Sequence, residues 1–167
     1  MNFLNLPWEI ILIILKQYND YKYCIRLLMT CKQLYQNKLL VKKIKDHFTE
    51  YEVDNDGNQY WCFNGKFHRE NDKPAIIESS GNQYWYFNDK CHRDNDKPAI
   101  IWPNGDKRWY FNGREHREDD KPAYHNIDGY KAWYKNGERH RNNGKPAIIA
   151  PAFRNEYWIN GYFIKIE

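Results

Sequence analysis

The residues of this chain that could carry chemistry recur at a fixed interval. His-Arg stands at His68-Arg69, His92-Arg93, His116-Arg117 and His140-Arg141, each pair 24 residues after the last. Imidazoles in series would suit a metal centre or a general base, and guanidiniums in series a phosphate site. Spacing argues against the metal. If each copy is a pair of strands, equivalent histidines lie about 10 Å apart at roughly 4.8 Å per strand, whereas zinc ligands sit about 2.0–2.1 Å from one ion. No Glu or Cys recurs beside them at ligand distance. No Ser/His/Asp or Cys/His set, glycine-rich phosphate loop or paired-carboxylate motif accompanies them. The expectation is a chain that is not an enzyme and holds no cofactor or metal. Each His is then structural, stacked on a Trp with a ring nitrogen bonded to backbone or carboxylate. Each Arg pairs with an Asp or Glu, or stacks on a Tyr.

The other reactive side chains are Cys24, Cys31, Cys62 and Cys91. None forms a C-x-x-C pair, so free thiols in a reducing compartment, cytoplasm or nucleus, are expected. The apolar run Ile10–Leu15 is too short to span a bilayer and lacks the flanks of a secretory signal. Charge is unevenly placed. The chain has 26 Lys/Arg against 22 Asp/Glu, a net +4; residues 1–50 hold 8 basic and 4 acidic groups, leaving 18 of each in residues 51–167. A balanced repeat disfavours nucleic acid and anionic membrane as partners.

Elements must now be found that hold these residues in register. The same interval governs Trp61, Trp85, Trp109 and Trp133, the glycines at 57, 81, 105 and 129, and Pro-Ala from Pro74-Ala75 to Pro146-Ala147. Asn-Gly recurs at 64–65, 112–113, 136–137 and 160–161, with Asn88-Asp89 in the second copy. Asn-Gly between aromatic runs predicts a two-residue type I′ hairpin, since both central residues need positive φ. That turn sets Trp61 opposite His68, and likewise Trp85–His92, Trp109–His116 and Trp133–His140, as a structural ladder on one face. Cys62, Tyr86, Tyr110 and Tyr134 fall on the other face with the arginines. Asp-Lys-Pro then turns the chain, and a short strand such as Ala75-Ile76-Ile77 follows. The architecture resolves a tension in the composition: 17% aromatic residues with a mean hydropathy of −0.99. A thin repeat sheet buries rings while leaving much polar surface exposed.

Two rows vary between copies: Tyr60, Tyr84, Arg108 and Ala132, and Phe67, Cys91, Glu115 and Arg139. A packing ladder demands sameness, whereas a recognition surface uses variety. Tyr60, Tyr84, Tyr86, Arg108, Tyr110 and Tyr134 are therefore candidate target-binding residues.

The aromatic-Trp-x-x-Asn-Gly-x-x-His core, with its following turn, resembles the MORN-type repeat and its variants in large DNA viruses, over residues 54–165. His-Arg followed by Pro-Ala replaces the usual Gly-x-Gly. The family implies an elongated, single-layer antiparallel sheet of hairpins used as a scaffold or binding surface.

Residues 1–50 carry no repeat and read as helical. Asn5 suits a cap and Pro7 a first turn, ahead of a stripe of Ile10, Ile11, Ile14 and Leu15; further helices fit Tyr23–Tyr35 and Leu39–Phe48. Leu6-Pro7-Trp8-Glu9 with a downstream Leu28-Met29-Thr30-Cys31 resembles an F-box. Tyr18 stands where Leu is usual, and there is about one extra residue before Cys31. That family implies a three-helix module docking on the Skp-family adaptor of a cullin–RING ubiquitin ligase. Leu6, Pro7, Ile10, Ile14, Leu28, Cys31 and Leu34 match its interface-building positions. The expected whole is mostly β with an α-helical N-terminal module: residues 1–50 as a three-helix cap, and residues 51–167 as a single-layer antiparallel sheet of four full hairpin units and one partial. Its expected role is to recruit a target protein to the ligase, in the host cell if the source is such a virus. The alternative is a repeat scaffold binding protein, membrane or nucleic acid, with the helices serving only as a cap.

Overall fold

The computed structural model describes residues 7–17, 24–26, 28, 36–151 and 154–167. Leu6, Cys31 and Leu34, and the cap assigned to Asn5, lie outside them. Contacts divide the chain into two compact units: Met1–Tyr51 with Cys62–Lys66, and Glu52–Trp61 with Phe67–Glu167.

The first unit contains helix α1, Trp8–Lys16, and helix α2, Lys38–His47. Residues 24–26 and Leu28 are also helical. Pro7 is the N-cap of α1, with φ −55° and ψ 141°, rather than a first-turn residue. Its carbonyl accepts from Ile10 N and Ile11 N at 3.0 and 3.2 Å, and Glu9 sits where the helix dipole favours an anion. At α2, Asn37 Oδ1 accepts from Leu40 N at 3.1 Å, a cap that starts the helix one residue earlier than its apolar stripe suggests. Ile11 and Leu15 from α1, and Leu40 and Ile44 from α2, meet Cys24, Leu28 and Phe48 in one buried cluster. Each such aliphatic side chain contributes roughly 2 kcal/mol on burial. Phe63 packs against the cluster, and Asn64 N donates to Phe48 O at 2.8 Å. The tip of the first hairpin thus belongs to the helical unit.

The protein is mostly β. One long antiparallel sheet runs, in spatial order, through Thr49–Val53, Gln59–Phe63, Ile76–Ile77, Gln83–Tyr84, Ile100–Ile101, Lys107–Arg108, Tyr124–His125, Lys131–Ala132, Ile148–Ile149, Glu156–Ile159 and Tyr162–Ile166, with Lys66–Phe67 pairing Gln59–Phe63 off that path. Three two-stranded ladders stand apart from it: Tyr86–Phe87 with Lys90–Cys91, Tyr110–Phe111 with Arg114–Glu115, and Tyr134–Lys135 with Glu138–Arg139.

Successive hairpins are still neighbours, linked by single backbone bonds rather than a continuous ladder: Gly113 N donates to Cys91 O and Gly137 N to Glu115 O, each at 2.8 Å. Each middle copy splits at its Trp. Trp85 N donates to Ala99 O at 2.8 Å, inside the long sheet, while Trp85 O accepts from His92 N at 3.0 Å, inside the hairpin. One residue serves both ladders. The turns require the residues found there. Asn112 and Gly113 have φ of 50° and 83°, and the same left-handed pair recurs in every copy, with Asp89 at 65°. The Asn-Asp step before Lys-Pro is a second left-handed pair, Asn71 at 61° and Asp72 at 57°. Ala75, Ala99, Ala123 and Ala147 are fully buried, and each carbonyl accepts from the Trp backbone N of its own copy, as Ala123 O from Trp109 N at 2.7 Å.

Candidate functional site

The Asn-Asp turn positions a carboxylate against the following copy. Asp72 accepts from Arg93 Nε at 2.7 Å, Arg93 Nη2 at 3.1 Å and Lys97 Nζ at 2.6 Å. Asp96 does the same for Arg117 and Lys121, and Asp120 for Arg141 and Lys145. These bonds, Arg93's first and Lys97's next, hold the Asp72 carboxyl well below the usual carboxylate range. The equivalent bonds hold Asp96 and Asp120 at about 2. The backbone carbonyl of each Asp also accepts from the next copy's indole, as Trp109 Nε1 to Asp96 O at 2.9 Å.

The arginines stack where the histidines were expected. The Arg guanidinium carbon lies 3.4 Å from the Trp61 centroid for Arg69, and 3.7–3.8 Å from Trp85, Trp109 and Trp133 for Arg93, Arg117 and Arg141. This corrects the His-on-Trp ladder, and with it the placement of Arg on the opposite face. The reason is local. Strand geometry ends at Cys91 and Glu115, so His and Arg lie beyond the region where side chains alternate. Arg93 Nη1 then donates to Pro98 O at 3.2 Å, which lays the guanidinium across the indole.

The imidazoles form a different column. His68 is 4.9 Å from Phe87, Phe87 is 6.3 Å from His92, His92 is 5.0 Å from Phe111, and Phe111 is 6.2 Å from His116. Asn112 N donates to His92 Nδ1 at 3.1 Å, so that nitrogen carries no proton and Nε2–H donates to Asp94 Oδ1 at 3.0 Å. His116 is held likewise between Asn136 N and Glu118, and His140 between Asn160 N and Asn142. Each of these three imidazoles joins its own copy to the next.

Three grooves of about 450, 200 and 140 Å³ repeat along the array. Trp85, Tyr86 and Phe87 wall the first, and Trp109, Tyr110 and Phe111 the second. In the third, Lys135 replaces the Phe beside Trp133 and Tyr134.

All six candidate target residues are half-buried. Tyr60 OH donates to Asp54 Oδ2 at 2.9 Å, and Phe67 links Tyr60 to Tyr86 at 6.1 and 5.7 Å. Tyr84 pairs across strands with Ile76 and Ile100; burial, with Glu78 beside it, pushes its phenol up to about 12. Arg108 reaches Glu115 at 3.2 Å and lies 4.6 Å over Tyr124. Burial pushes the Glu115 carboxyl up and the Arg108 and Arg139 charges pull it back, while burial also raises the Tyr110 phenol. Tyr134 OH accepts from Arg139 Nε at 3.4 Å. The variety in these rows is matched by contacts within the sheet, and only Tyr86, Tyr110 and Tyr134 reach the grooves.

In the helical unit, Pro7 and Ile10 are exposed and Ile14 is half-buried, whereas Leu28 is buried in the core. Ile13 and Leu39 add exposed apolar surface. Among the described residues, no group of three or more His, Cys, Asp or Glu is arranged to hold a metal, and no helix is long and apolar enough to cross a membrane.

The sequence points to an acid for each Arg without saying which, although the signal for the Asp of the preceding copy is there. Asp72, Asp96 and Asp120 each precede an Arg by 21 residues; where that position becomes Gly144, the residue 21 later is Lys165. Lys165 instead lies 4.5 Å over Tyr157, which stands at the Trp position of the last copy. No family model matches this chain, and no curated protein or solved structure matches it either.

Proposed function

We propose that the chain is a non-enzymatic adaptor that recruits a target protein to a cullin–RING ubiquitin ligase. In this reading its N-terminal helices form an F-box-like module bound to a Skp-family adaptor, and its MORN-like repeats bind the target. The observation that carries the proposal is the apolar surface on the helical unit. Ile10 and Ile13 are 42% and 57% exposed, next to the exposed Pro7, while Ile11 and Leu15 of the same helix are buried. A helix with a satisfied inner face and an apolar outer one suits docking on a partner. Co-purification with a Skp-family adaptor tests it. Wild type should be retained, and Ile10→Asp with Ile13→Asp should abolish retention without changing the fold. Absence of binding by wild type, or undiminished binding by the variant, would overturn the reading.

A second reading, that the helices serve as a cap, has its own observation: Phe63 packs on the helical core and Asn64 N donates to Phe48 O. The two roles are compatible, since one uses the buried side of α1 and the other its exposed side.

A further inference from the structure

Two of the three grooves carry a Phe between two acids, Glu70 and Asp94 in the first and Asp94 and Glu118 in the second, whereas the third has Lys135 for the Phe and keeps only Glu118, opposite Asn142. Phe87 and Phe111 are each 53% exposed although flanked by imidazoles. Asp94 and Glu118, on the rims of the first two grooves, each expose 77% of their side chains. Each carboxylate accepts from an imidazole, and among the described residues neither pairs with a Lys or Arg. In the next copy both features change together: Lys135 stands for the Phe and Asn142 for the acid. The imidazole between ring and carboxylate touches both, and the two stay exposed enough to meet one ligand.

Spacing selects the form of that ligand. Equivalent positions in successive copies, such as Gln83–Tyr84 and Lys107–Arg108, lie two strands apart in the long sheet, about 9.6 Å. A polyproline II helix advances about 3.1 Å per residue with three residues per turn, so every third side chain faces the same way about 9.3 Å further on. The mismatch is roughly 0.3 Å per copy. A β-strand turns alternate residues to opposite faces, so its third residue points away. An α-helix repeats on one face at about 5.4 Å, which matches neither one copy nor two. Proline rings pack on aromatic faces in grooves of this kind, and the two rim carboxylates call for a cation on the same three-residue period.

We propose that the Phe87/Asp94 and Phe111/Glu118 grooves together bind a polyproline II segment with a proline and a Lys or Arg repeating every third residue. The proposal names the target class for the repeat array. It rests on that array being the target-reading part, and not on the adaptor. The rim carboxylates argue against nucleic acid, whose phosphates they would repel.

The test is fluorescence anisotropy on the full chain, without adaptor, using labelled (Pro-Pro-Lys)₃. Saturable binding is expected. Phe87→Ala with Phe111→Ala should weaken it about tenfold or more, the loss of one to two ring contacts. Asp94→Asn with Glu118→Gln should weaken it and flatten its salt dependence. All four positions are exposed, and an unchanged urea midpoint verifies the fold. A peptide of the same composition with Lys every fourth residue should bind at least about tenfold more weakly, since only one lysine can then reach a rim. No saturable binding of the repeat peptide, equal binding of the out-of-register peptide, or tighter binding of a single-stranded oligonucleotide would each overturn the proposal. Loss of adaptor binding with peptide binding intact would overturn the ligase role alone.

Discussion

Replacing Asp96 by Asn keeps its shape and removes its charge. Asp96 accepts two bonds from Arg117, at 2.7 and 3.2 Å, and one from Lys121, at 2.9 Å. They lower its carboxyl from 3.8 to about 2. A drop of that size corresponds to about 2.5 kcal/mol at most. The carboxylate is 43% exposed, so solvent screening reduces the expected contribution to roughly 1–1.5 kcal/mol. The folded carboxyl is the stronger acid, so this stabilisation is complete above 3.8 and drains away as pH falls through the interval down to about 2. Urea unfolding followed by tryptophan fluorescence, on wild type and Asp96→Asn in parallel, reads it directly. At pH 7 the variant should be roughly 1–1.5 kcal/mol less stable. The gap should be roughly halved at pH 3 and mostly gone at pH 2. Asp72 and Asp120 titrate in both proteins and cancel from the difference. A gap that persists unchanged to pH 2 would refute the electrostatic account, and the absence of any gap at pH 7 would refute the clasp itself.

Two other outcomes are expected. Gly81→Ala should destabilise by about 1–3 kcal/mol in the same urea assay, because the residue has φ +90° and its new Cβ would meet Pro103 Cγ at 2.9 Å; Gly65→Ala, with nothing within 4 Å, should lose less. Cys91, whose thiol burial pushes up to about 12, should resist iodoacetamide at pH 8 in the folded protein and react once urea unfolds it, which mass spectrometry of the peptide would follow.

What the sequence made legible was local. Asn-Gly in each copy announces its turn because two successive left-handed residues leave little choice of side chain, and the two-residue turn then fixes Phe111 opposite Arg114 and Tyr110 opposite Glu115. The repeat interval followed from the same residues. Pattern reading stopped where the strand does. His116 and Arg117 were assigned faces by alternation, but they follow the last strand residue, Glu115, and a tertiary ion cluster decides where they go. The split at Trp85 was illegible for a related reason. A run such as Gln83-Tyr84-Trp85-Tyr86-Phe87 reads as one strand, and only the partners of its two halves, Ile100–Ile101 and Lys90–Cys91, reveal two. The half-burial of Tyr60, Tyr84 and Arg108 was missed because variety was taken as exposure; Arg108 and Glu115 vary as a pair and satisfy one another. At the N-terminal end, periodicity found Ile11 and Leu15, and also Ile10 and Ile14, without telling which the core would claim.

The clasp between copies also has a direction. The carboxylate always comes from the earlier copy and the two cations from the later one, 21 and 25 residues on. The three junctions among the four full copies therefore share one clasp, with an acid-bearing end and a base-bearing end. Inserting one whole 24-residue block between the second and third copies would create one more junction of the same kind and disturb none. Removing a block would rejoin an Asp to an Arg. An in-frame duplication or loss of 72 nucleotides is then an event the fold absorbs, whereas a change of one or two residues within a block breaks the interval and leaves a carboxylate facing no cation. Array length can evolve quickly in whole steps while the junction residues stay fixed, and each step adds or removes one groove.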